Sequence, residues 1–413
     1  MLLPITNEPR DYAWGSHEAI AEFTGRPPSG GPEAELWLGS HQLSPSRILT
    51  PEAAGGHERL DEWIAADPEG ALGASRGGDE FPVLMKVLAA AQALSIQVHP
   101  DAEQAQRGFA DENARGVALT DPERTYKDPY PKPELALALG GPFDALVGFR
   151  PLDATKTLVA ELAEAAASAE DRRPLDDLAA KLDGEPEETL RRLVAWFLDG
   201  SASAESLCRA VVAAAERYPG GRFEAEARTL AELGASRPGD PGILVASLMN
   251  RVHLEEGEAV YVQPREIHAY LGGLAIEVMR ASDNVIRAGL TGKHIDVAAL
   301  QRITDFRERR EVVARPTEVA PGVAHLGPGP EFALTRLTSM PASGGSAGER
   351  PRVRLSGPAV AVATAGSPHV HGGRNETRLE RGQAVYVTPD EEELTLTGQG
   401  QLVLATPGGT RYE

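Results

Sequence analysis

Four polar residues of this sequence have side chains of the kinds that bind metal ions. In the stretch 94–100 (LSIQVHP), a strand would place Gln97 and His99 on one face, because side chains alternate along a strand. Glu134 follows in the motif KPE, and His268 ends the motif QPREIH. Two imidazoles, one carboxylate and one amide suit zinc or another divalent first-row metal and leave a position open for water or substrate. Each motif alone is more typical of an ordinary turn, so the metal site is a hypothesis about all four residues together.

The Gly-Gly pair at 272–273 predicts where a further carboxylate lies. Two glycines between apolar runs are typical of a two-residue hairpin turn, so we expect residues 267–271 to pair with 274–278. His268 would then lie opposite Glu277, with Cβ atoms roughly 4.5–5.5 Å apart. The alternative is an exposed His–Glu pair that contributes less than about 1 kcal/mol.

The wider pattern indicates the elements that position these residues. Residues 1–150 are short apolar segments broken by Gly, Pro, Asp and Asn, which is typical of strands and turns. From 151 to about 238, apolar residues three and four apart in an Ala-, Leu-, Glu- and Arg-rich stretch predict a run of amphipathic helices. Strands follow to the C-terminus, with one helix near 297–306.

An internal repeat predicts the architecture. LEEGEAVYVQP at 254–264 reappears 125 positions later as LERGQAVYVTP at 379–389, and eleven of the twenty pairs from residue 254 to 273 are identical. The repeat predicts two related β-domains, with the helices inserted into or beside the first. Glu393 replaces His268 in the second copy, which has therefore lost at least that ligand. We expect a mainly β fold with an added helical domain, divided into a catalytic β-domain (1–150 and 247–315), a helical domain (151–246) and a C-terminal β-domain without a metal (316–413).

Three other features of the sequence are better explained by structural roles than by binding or catalysis. His369 and His371 would form a metal pair on a strand, but their Gly- and Ser-rich flanks favour a solvated or vestigial pair over a second metal site. The acidic run 390–393 favours a solvated turn over a calcium site. Cys208 is the only cysteine, so it cannot form an internal disulfide and is expected to be a small buried residue.

Composition excludes several classes of partner. The formal charge of -20 disfavours binding to nucleic acid or to anionic membranes, so an anionic metabolite would need a local basic pocket. The N-terminus lacks the features of a signal peptide, and no stretch reaches 18 uninterrupted apolar residues. These observations predict a soluble, cytoplasmic protein of two or three domains.

Taken together, the motifs resemble those of the type I mannose-6-phosphate isomerase family, whose members are zinc proteins of the cupin class. The resemblance runs through most of the chain and rests on YAWG at 12–15, AELWLG at 34–39, LSIQVHPD at 94–101, YKDP at 126–129, KPE at 132–134, HAYL at 268–271 and SDNVIRAGLT at 282–291. It implies two cupin-like jelly-roll barrels with a helical insertion, one zinc ion per chain, and interconversion of mannose 6-phosphate and fructose 6-phosphate.

The resemblance also implies roles for individual residues. The zinc ligands would be Gln97, His99, Glu134 and His268, and Arg287 would be catalytic. The substrate site would be lined by Ser95, Lys86, Lys132, Glu277, Asp283 and Lys293, together with Glu35 of the AELWLG motif. Four of the chain's six lysines, Lys86, Lys127, Lys132 and Lys293, lie in or beside these motifs, which favours specific use over chance in a chain that otherwise relies on arginine.

Such an isomerase moves a proton between C1 and C2 through a cis-enediol. The reaction needs an electrophile for the developing oxyanion, a base, and a clamp for the phosphate. Glu277 is the candidate base on the hairpin argument, and a hydroxide held by the metal is the alternative. Arg287 and Lys293 are candidates for the phosphate, although Arg287 would alternatively stabilise charge at the reacting carbons.

The chain departs from the family pattern at two places. Family members often have Asn-His before KPE, whereas this chain has Tyr130 and Pro131, so the histidine expected to help open the sugar ring is absent. Ring opening then falls to Lys132, a water or another group. The segment before His268 reads Gln-Pro-Arg where the family usually has a Pro-Ala turn.

Two other functions fit parts of the sequence. One is another metal-dependent cupin enzyme, either an isomerase of a different sugar phosphate or an iron oxygenase, although the facial triad of an oxygenase requires neither Gln97 nor Arg287. The other is a non-catalytic sugar-binding bicupin, which would not need the lysines and Arg287. The sequence leaves the oligomeric state open, with a monomer favoured.

Overall fold

The computed structural model describes residues 1–73, 80–328, 331–339 and 350–408. The α-helices of these residues are α1 Ala19–Thr24, α2 Leu60–Ala66, α3 Pro68–Leu72, α4 Ala102–Ala114, α5 Leu152–Ala165, α6 Ala169–Ala179, α7 Pro186–Phe197, α8 Ala202–Glu216, α9 Glu224–Ser236, α10 Gly242–Ser247 and α11 Val297–Ile303. Short 3-10 helices cover Pro51–Ala54 and Pro389–Glu391. The strands are β1 Leu2–Thr6, β2 Glu35–Leu38, β3 Arg47–Ile48, β4 Val83–Ala90, β5 Ile96–Val98, β6 Glu134–Ala138, β7 Phe143–Phe149, β8 Met249–Leu254, β9 Ala259–Val262, β10 His268–Arg280, β11 Ile286–Gly289, β12 Val313–Ala314, β13 Thr317–Ala320, β14 Val323–Pro328, β15 Phe332–Ser339, β16 Arg352–Arg354, β17 Ala359–Gly366, β18 His369–Gly372, β19 Glu376–Arg378, β20 Ala384–Val387, β21 Glu393–Thr397 and β22 Gly400–Pro407.

These strands form three sheets. The large sheet contains β2 and β4 to β12, the middle sheet has the order β13-β14-β15-β22-β17-β20-β1-β3, and the small sheet has the order β16-β21-β18-β19. Strand β1 pairs with β20, so the start of the chain is a strand of the middle sheet. Residues far apart in sequence are therefore neighbours in this sheet.

Alternating side chains of the strands pack into separate apolar layers, as the period of two requires. In β9, Val260 and Val262 face the interior of the large sheet, while Ala259 and Tyr261 pack between the large and middle sheets. In β20, the repeated valines Val385 and Val387 face a second interior, between the middle and small sheets. Both copies of the repeat thus form a strand with the same orientation of side chains.

Strand β10 corrects the predicted hairpin at Gly272–Gly273. The chain does not reverse there. Residues His268–Arg280 form one continuous strand that pairs with β7 over its first half and with β4 and β6 over its second half. Gly273 has φ +111°, and an irregularity in the β7 pairing between Tyr270 and Gly272 bends the strand. The prediction failed because two glycines permit a bulge as readily as a turn.

The helices α5 to α10 confirm the predicted helical stretch. Their buried leucines, among them Leu158, Leu190 and Leu207, pack with Phe149 of β7 in one apolar cluster against the large sheet. Cys208 is buried in α8, as predicted, and α11 lies at the helix expected near 297–306. Helix α4, in contrast, was not predicted, although Asp101 and Gln104 form a capping box at its start.

The predicted combination of β-sheets with an added helical region is confirmed, but the fold is mixed rather than mainly β, because helix and strand contents are about equal. None of the sheets formed by the described strands closes on itself, so the two jelly-roll barrels are confirmed only in part. Within the described ranges, each helix is too short or too polar to cross a lipid bilayer.

Candidate metal centre and active site

Three of the four predicted ligands meet inside the large sheet. His99 directly follows β5, Glu134 begins β6 and His268 begins β10. The Nε2 atoms of His99 and His268 lie 3.1 Å and 3.3 Å from the two carboxylate oxygens of Glu134. All three side chains are buried, and their ligand atoms lie within 4.8 Å of one another.

The hydrogen bonds of the two imidazoles show that this group fits a cation. The Nδ1–H groups of His99 and His268 donate to the backbone carbonyls of Asn284 (2.7 Å) and Glu266 (3.0 Å), because a carbonyl oxygen only accepts. Each neutral imidazole therefore has a lone pair on Nε2. Among the described residues, neither Nε2 atom has a hydrogen-bond partner. Two buried lone pairs that face a carboxylate repel it unless a cation lies between them, and this orientation through Nδ1–H is typical of zinc-binding histidines.

Gln97 is placed beside this group by the pairing of strands. It lies on β5 directly opposite His268 of β10 on one side and Arg287 of β11 on the other. Opposed residues of antiparallel strands point to the same face, with Cβ atoms roughly 4.5–5.5 Å apart. The amide of Gln97 is therefore positioned next to His268, and the half-buried Arg287 lies one strand further away.

Lys132 sets the charge of the ligand group. Its Nζ lies 3.0 Å from Oε1 of Glu134. Burial raises the pKa of Glu134, but its polar neighbours, of which the charged Lys132 has the largest effect, outweigh burial and hold the pKa well below its usual value. Burial and the charge of Lys132 lower the pKa of His99 to about 4. The carboxylate is thus ionised and the imidazole neutral, which are the states that bind a metal.

A second buried ionic group lies on the adjoining strands. Lys86 of β4 is directly opposite Glu277 of β10, and its Nζ contacts Glu277 Oε2 (3.1 Å) and Glu35 Oε1 (3.3 Å). Burial raises the pKa of Glu277 to about 7, against the opposing effect of Lys86. Burial lowers the pKa of Lys86, but Glu277 and Glu35 outweigh this effect and raise it above its usual value. A carboxylate that titrates near neutral pH is suited to accept and return a proton.

The remaining predicted residues lie around these groups. Asp283 is about two-fifths exposed and contacts His41, and the half-buried Ser95 lies two residues before Gln97. Lys293 is exposed on the loop after β11, outside the buried cluster. Burial and the charge of Arg287 lower the pKa of Lys293, so the two cations are close enough to interact.

The sequence reasoning missed two residues that hold the ligand group. The Tyr270 hydroxyl donates to Glu134 Oε2 (3.3 Å), and burial raises the tyrosine's pKa well above its usual value, which keeps it a donor. Period-two alternation from His268 would have found it. Asn284 accepts from His99 through its carbonyl oxygen, and its side-chain amide donates to the backbone of Asp128 and Tyr130. No spacing rule predicts this loop-to-loop contact.

Comparison with known proteins places this geometry in a family. Residues 2–152 match the family model for the catalytic domain of type I phosphomannose isomerase. The chain is similar to mannose-6-phosphate isomerase of Escherichia coli (strain K12), with 34% identity over 404 residues, 96% of this chain and 97% of the relative. It is also similar to mannose-6-phosphate isomerase 1 of Arabidopsis thaliana, with 30% identity over 97% of this chain and 92% of that protein.

Solved structures agree with these relatives. A crystal structure of mannose 6-phosphate isomerase with zinc bound superposes with a TM-score of 0.85 and 31% identity, covering 98% of this chain and 99% of that chain. The apo form from Salmonella typhimurium superposes with a TM-score of 0.84 over the same shares of the two chains, at 31% identity. The chain therefore belongs to the type I phosphomannose isomerase family.

Proposed function

We propose that this protein interconverts mannose 6-phosphate and fructose 6-phosphate as a zinc-dependent isomerase. The observation that carries the proposal is the pair of buried Nε2 lone pairs of His99 and His268, both directed at the ionised Glu134. Full-length similarity to mannose-6-phosphate isomerases supplies the substrate and the reaction.

We assign one zinc ion per chain to Gln97, His99, Glu134 and His268. When bound, zinc would supply a Lewis acid that polarises substrate oxygens and stabilises developing negative charge. Lys132 keeps Glu134 ionised, and the carbonyls of Glu266 and Asn284 keep both imidazoles oriented. Without the metal, the carboxylates of Glu35 and Glu134 balance the two ammonium groups of Lys86 and Lys132, and ionisation of Glu277, whose pKa is about 7, adds a negative charge that favours a cation.

Glu277 is the proposed base. Its carboxylate is buried and has a pKa of about 7, so it can remove a proton from C2 of the aldose and return it to C1. The electron pair of the broken C2–H bond forms the C1–C2 double bond of the enediol as the π pair of the C1=O1 carbonyl moves onto O1. In the second half, the O2 proton passes to O1, the C2=O2 carbonyl forms, and the C1–C2 π pair takes up the proton that Glu277 returns to C1. Lys86, 3.1 Å away, holds the carboxylate in place and limits the rise of its pKa. The predicted hairpin, which suggested Glu277 as the base, is wrong because β10 is continuous. Glu277 remains the candidate because it lies in the same buried polar group as Glu134.

The other predicted residues are proposed to bind substrate. Arg287, opposite Gln97, and the exposed Lys293 are the candidates for the phosphate, since they are two cations close enough to interact with one another. Ser95 and Asp283 are assigned to sugar hydroxyls, and Glu35 is assigned to the positioning of Lys86.

Three organisational features remain proposals. The division into residues 1–150 with 247–315, 151–246 and 316–413 is supported by separate apolar clusters inside the large sheet and between the middle and small sheets. The helices share their cluster with the large sheet, and β1 and β3 lie in the middle sheet, so packing does not mark every one of these boundaries. The segment 316–413 is proposed to hold no metal. A monomer in the cytoplasm is the proposed working state. Light scattering of the purified protein tests the monomer.

A coupled assay with mannose 6-phosphate, run with measurement of bound metal, tests the proposed function. We expect about one zinc per chain, loss of turnover when a chelator removes it, and recovery when zinc is restored. Full turnover in protein freed of metal would overturn the proposal, as would a zinc-loaded protein that does not convert mannose 6-phosphate.

A further inference from the structure

The two cations assigned to the phosphate lie on either side of one short segment of backbone. Arg287 is half-buried within β11, and Lys293 is exposed on the loop that follows this strand. The segment between them, residues 288–292, therefore sets the distance between the two charges. Because like charges repel, a segment that was free to move would let the two side chains separate. The contacts that hold this segment are thus part of any phosphate site built on the pair.

The carboxylate of Asp240 holds this segment from outside the large sheet. Asp240 lies on the connection between α9 and α10. Its Oδ1 accepts hydrogen bonds from the backbone N–H groups of Gly242 (2.8 Å) and Leu290 (2.9 Å), and its Oδ2 accepts from the N–H of Thr291 (3.2 Å). The first bond is local, whereas Leu290 and Thr291 are 50 and 51 positions away. One side chain of the helical region thus fixes the backbone between the two cations.

The two backbones also approach each other closely at this point. A Cβ atom on Gly242 would lie 2.6 Å from the backbone nitrogen of Leu290, and one on Gly289 would overlap the Cα of Gly242. Leu290 itself has φ +53°, in the left-handed region that residues other than glycine rarely adopt. Such a conformation persists only where the surroundings hold it, and they cluster at functional sites. The hydrogen bond from the Leu290 N–H to Asp240 supplies part of that hold.

Asp240 is in turn fixed to the helices. Its carbonyl oxygen accepts from the backbone N–H of Ile243 (3.1 Å) and from the thiol of Cys208 in α8 (3.6 Å). Burial raises the pKa of the Cys208 thiol to about 11, so the thiol keeps its proton and can donate. The side chains of Cys208, Ile243 and Leu290 are buried in the same apolar cluster. The position of the segment therefore depends on the helical region as well as on β11.

The hydrogen bond to Thr291 also reaches Lys293. The hydroxyl of Thr291 accepts from the backbone N–H of Lys293 (3.1 Å), so the placement of one residue fixes the other. Within the described ranges, no carboxylate affects the pKa of Arg287 or Lys293. The two positive charges are therefore uncompensated by the protein and are available to an anion.

We propose that Asp240 is a positioning residue that holds Arg287 and Lys293 in the arrangement that binds the phosphate of the sugar phosphate. Two uncompensated cations on one loop match the charge and the oxygen acceptors of a phosphate group. A loop that is already held in this arrangement loses less conformational freedom when the ligand binds, which increases the affinity. None of the hydrogen bonds of Asp240 involves a residue assigned to the metal or to proton transfer. Loss of Asp240 should therefore weaken substrate binding rather than the chemical step.

Separate measurement of KM and kcat for zinc-loaded Asp240→Asn tests this role. The amide oxygen can still accept from Gly242 and Leu290, but the amide nitrogen cannot accept from Thr291. We expect KM for mannose 6-phosphate to rise about tenfold, as for the loss of one hydrogen bond to a carboxylate, while kcat stays within about twofold of the wild type. Calorimetric titration with sorbitol 6-phosphate, which has no carbonyl group to isomerise, should show the same loss of affinity. Zinc content should stay at the wild-type value.

A double-mutant cycle shows whether Asp240 acts through Lys293. Lys293→Met removes one of the two cations and should raise KM by itself. If the bond between Asp240 and Thr291 serves to place Lys293, then Asp240→Asn should raise KM by less than about twofold in the Lys293→Met background, because coupled residues are not additive. A full tenfold increase in that background would show that Asp240 acts elsewhere and would overturn the proposal.

Two further variants complete the test. Asp67→Asn makes the same substitution at an exposed carboxylate that accepts from the backbone N–H of Gly70 (3.0 Å) at the start of α3, and it should leave KM, kcat and sorbitol 6-phosphate affinity unchanged. If Asp240→Asn lowers zinc content or the unfolding temperature, Thr291→Val replaces it, since valine keeps the backbone bond to Asp240 but removes the acceptor for Lys293.

A folded, zinc-loaded Asp240→Asn or Thr291→Val protein with the KM and sorbitol 6-phosphate affinity of the wild type overturns the inference. Its failure is distinct from that of the proposed isomerase, on which it rests. In the first case the wild type still converts mannose 6-phosphate, whereas in the second it does not.

Discussion

Two interiors of this protein each contain one copy of the repeated segment, but one holds charged and polar side chains and the other holds only apolar ones. Inside the large sheet, the strand after the repeat presents His268 and Tyr270 to a buried group of carboxylates and lysines. Between the middle and small sheets, the corresponding strand presents Leu394 and Leu396 to an entirely apolar cluster. One copy leads into the proposed metal site, and the other leads into a hydrophobic core.

The difference arises in the connection between the two strands. Both copies place the valines of AVYV inward, and both connections have the same length. In the first copy Arg265 adopts φ +74°, whereas in the second copy Glu392 adopts φ +56°. The following strand is thereby displaced by one residue, which moves every side chain to the other face. Glu393, at the position of His268, consequently points away from the interior.

The described residues contain two groups of two histidines and one glutamate, and only one of the groups is buried. His369, His371 and Glu376 also bring their ligand atoms within 4.8 Å of one another, but on the outer face of the small sheet. Both ring nitrogens of His371 are occupied, Nδ1 by Glu376 (2.9 Å) and Nε2 by the hydroxyl of Thr397 (2.8 Å). The donor types alone therefore do not define a metal site; burial and unpartnered lone pairs do.

The largest expected effect separates these two groups directly. His268→Ala should abolish stoichiometric zinc binding and turnover, because it removes a buried ligand and leaves the charge of Glu134 less compensated. His371→Ala should change neither. Elemental analysis of dialysed protein and the isomerase assay measure both variants. If His371→Ala lowered zinc content as far as His268→Ala, the outer group would be a metal site and the comparison would fail.

A change at a single carboxylate tests the chemistry rather than the metal. Glu277→Gln should lower turnover by about 10²- to 10⁴-fold, which is the usual contribution of a positioned base, while zinc content stays at the wild-type value. Glu376→Gln is the matched control, since it alters an exposed glutamate of the outer group. Near-normal turnover of zinc-loaded Glu277→Gln would exclude this residue as the base.

Stability should respond differently to the loss of a buried and an exposed ion pair. Lys86→Met leaves the buried carboxylates of Glu277 and Glu35 without their common partner, so we expect the free energy of unfolding to fall by about 3–5 kcal/mol. Arg352→Ala removes an exposed partner of Glu393 on the small sheet and should cost less than about 1 kcal/mol. Urea unfolding of the two variants and the wild type, all zinc-free, measures both values. Equal losses would show that burial does not distinguish the two sites.

The raised pKa of Glu277 predicts an acid limb in the activity profile. Because the pKa is raised to about 7, the carboxylate becomes protonated as the pH falls, and kcat/KM should drop about tenfold per pH unit below the midpoint. The midpoint should lie at or below pH 7, since a bound cation adds positive charge and favours the ionised form. Lys86→Met removes a charge that lowers this pKa and should move the limb to higher pH. A limb that does not move in the Lys86 variant would assign it to another group.

The sequence identified the candidate metal ligands but not the residues and strands that surround them. Period-two alternation and the motif resemblance selected His99, Glu134 and His268, because ligand chemistry depends on residue type. The hairpin at 272–273 was wrong, because two glycines also fit a bulge in a continuous strand, and only the partners β4, β6 and β7 decide between them. Asp240 carried no spacing signal, since its partners Leu290 and Thr291 lie 50 and 51 positions away in sequence.

The smallest expected effect tests the displaced register itself. An alignment of the repeats suggests that Glu393→His would restore the missing ligand. Glu393 faces outward, however, while the neighbouring Leu394 is fully buried in the apolar cluster. Glu393→His should therefore leave zinc content at the wild-type value and change the free energy of unfolding by less than about 1 kcal/mol, since it removes only an exposed ion pair with Arg352. Additional tightly held zinc in this variant would mean that the second copy can adopt the register of the first, and that the connection, rather than the apolar core, is the easier part to change.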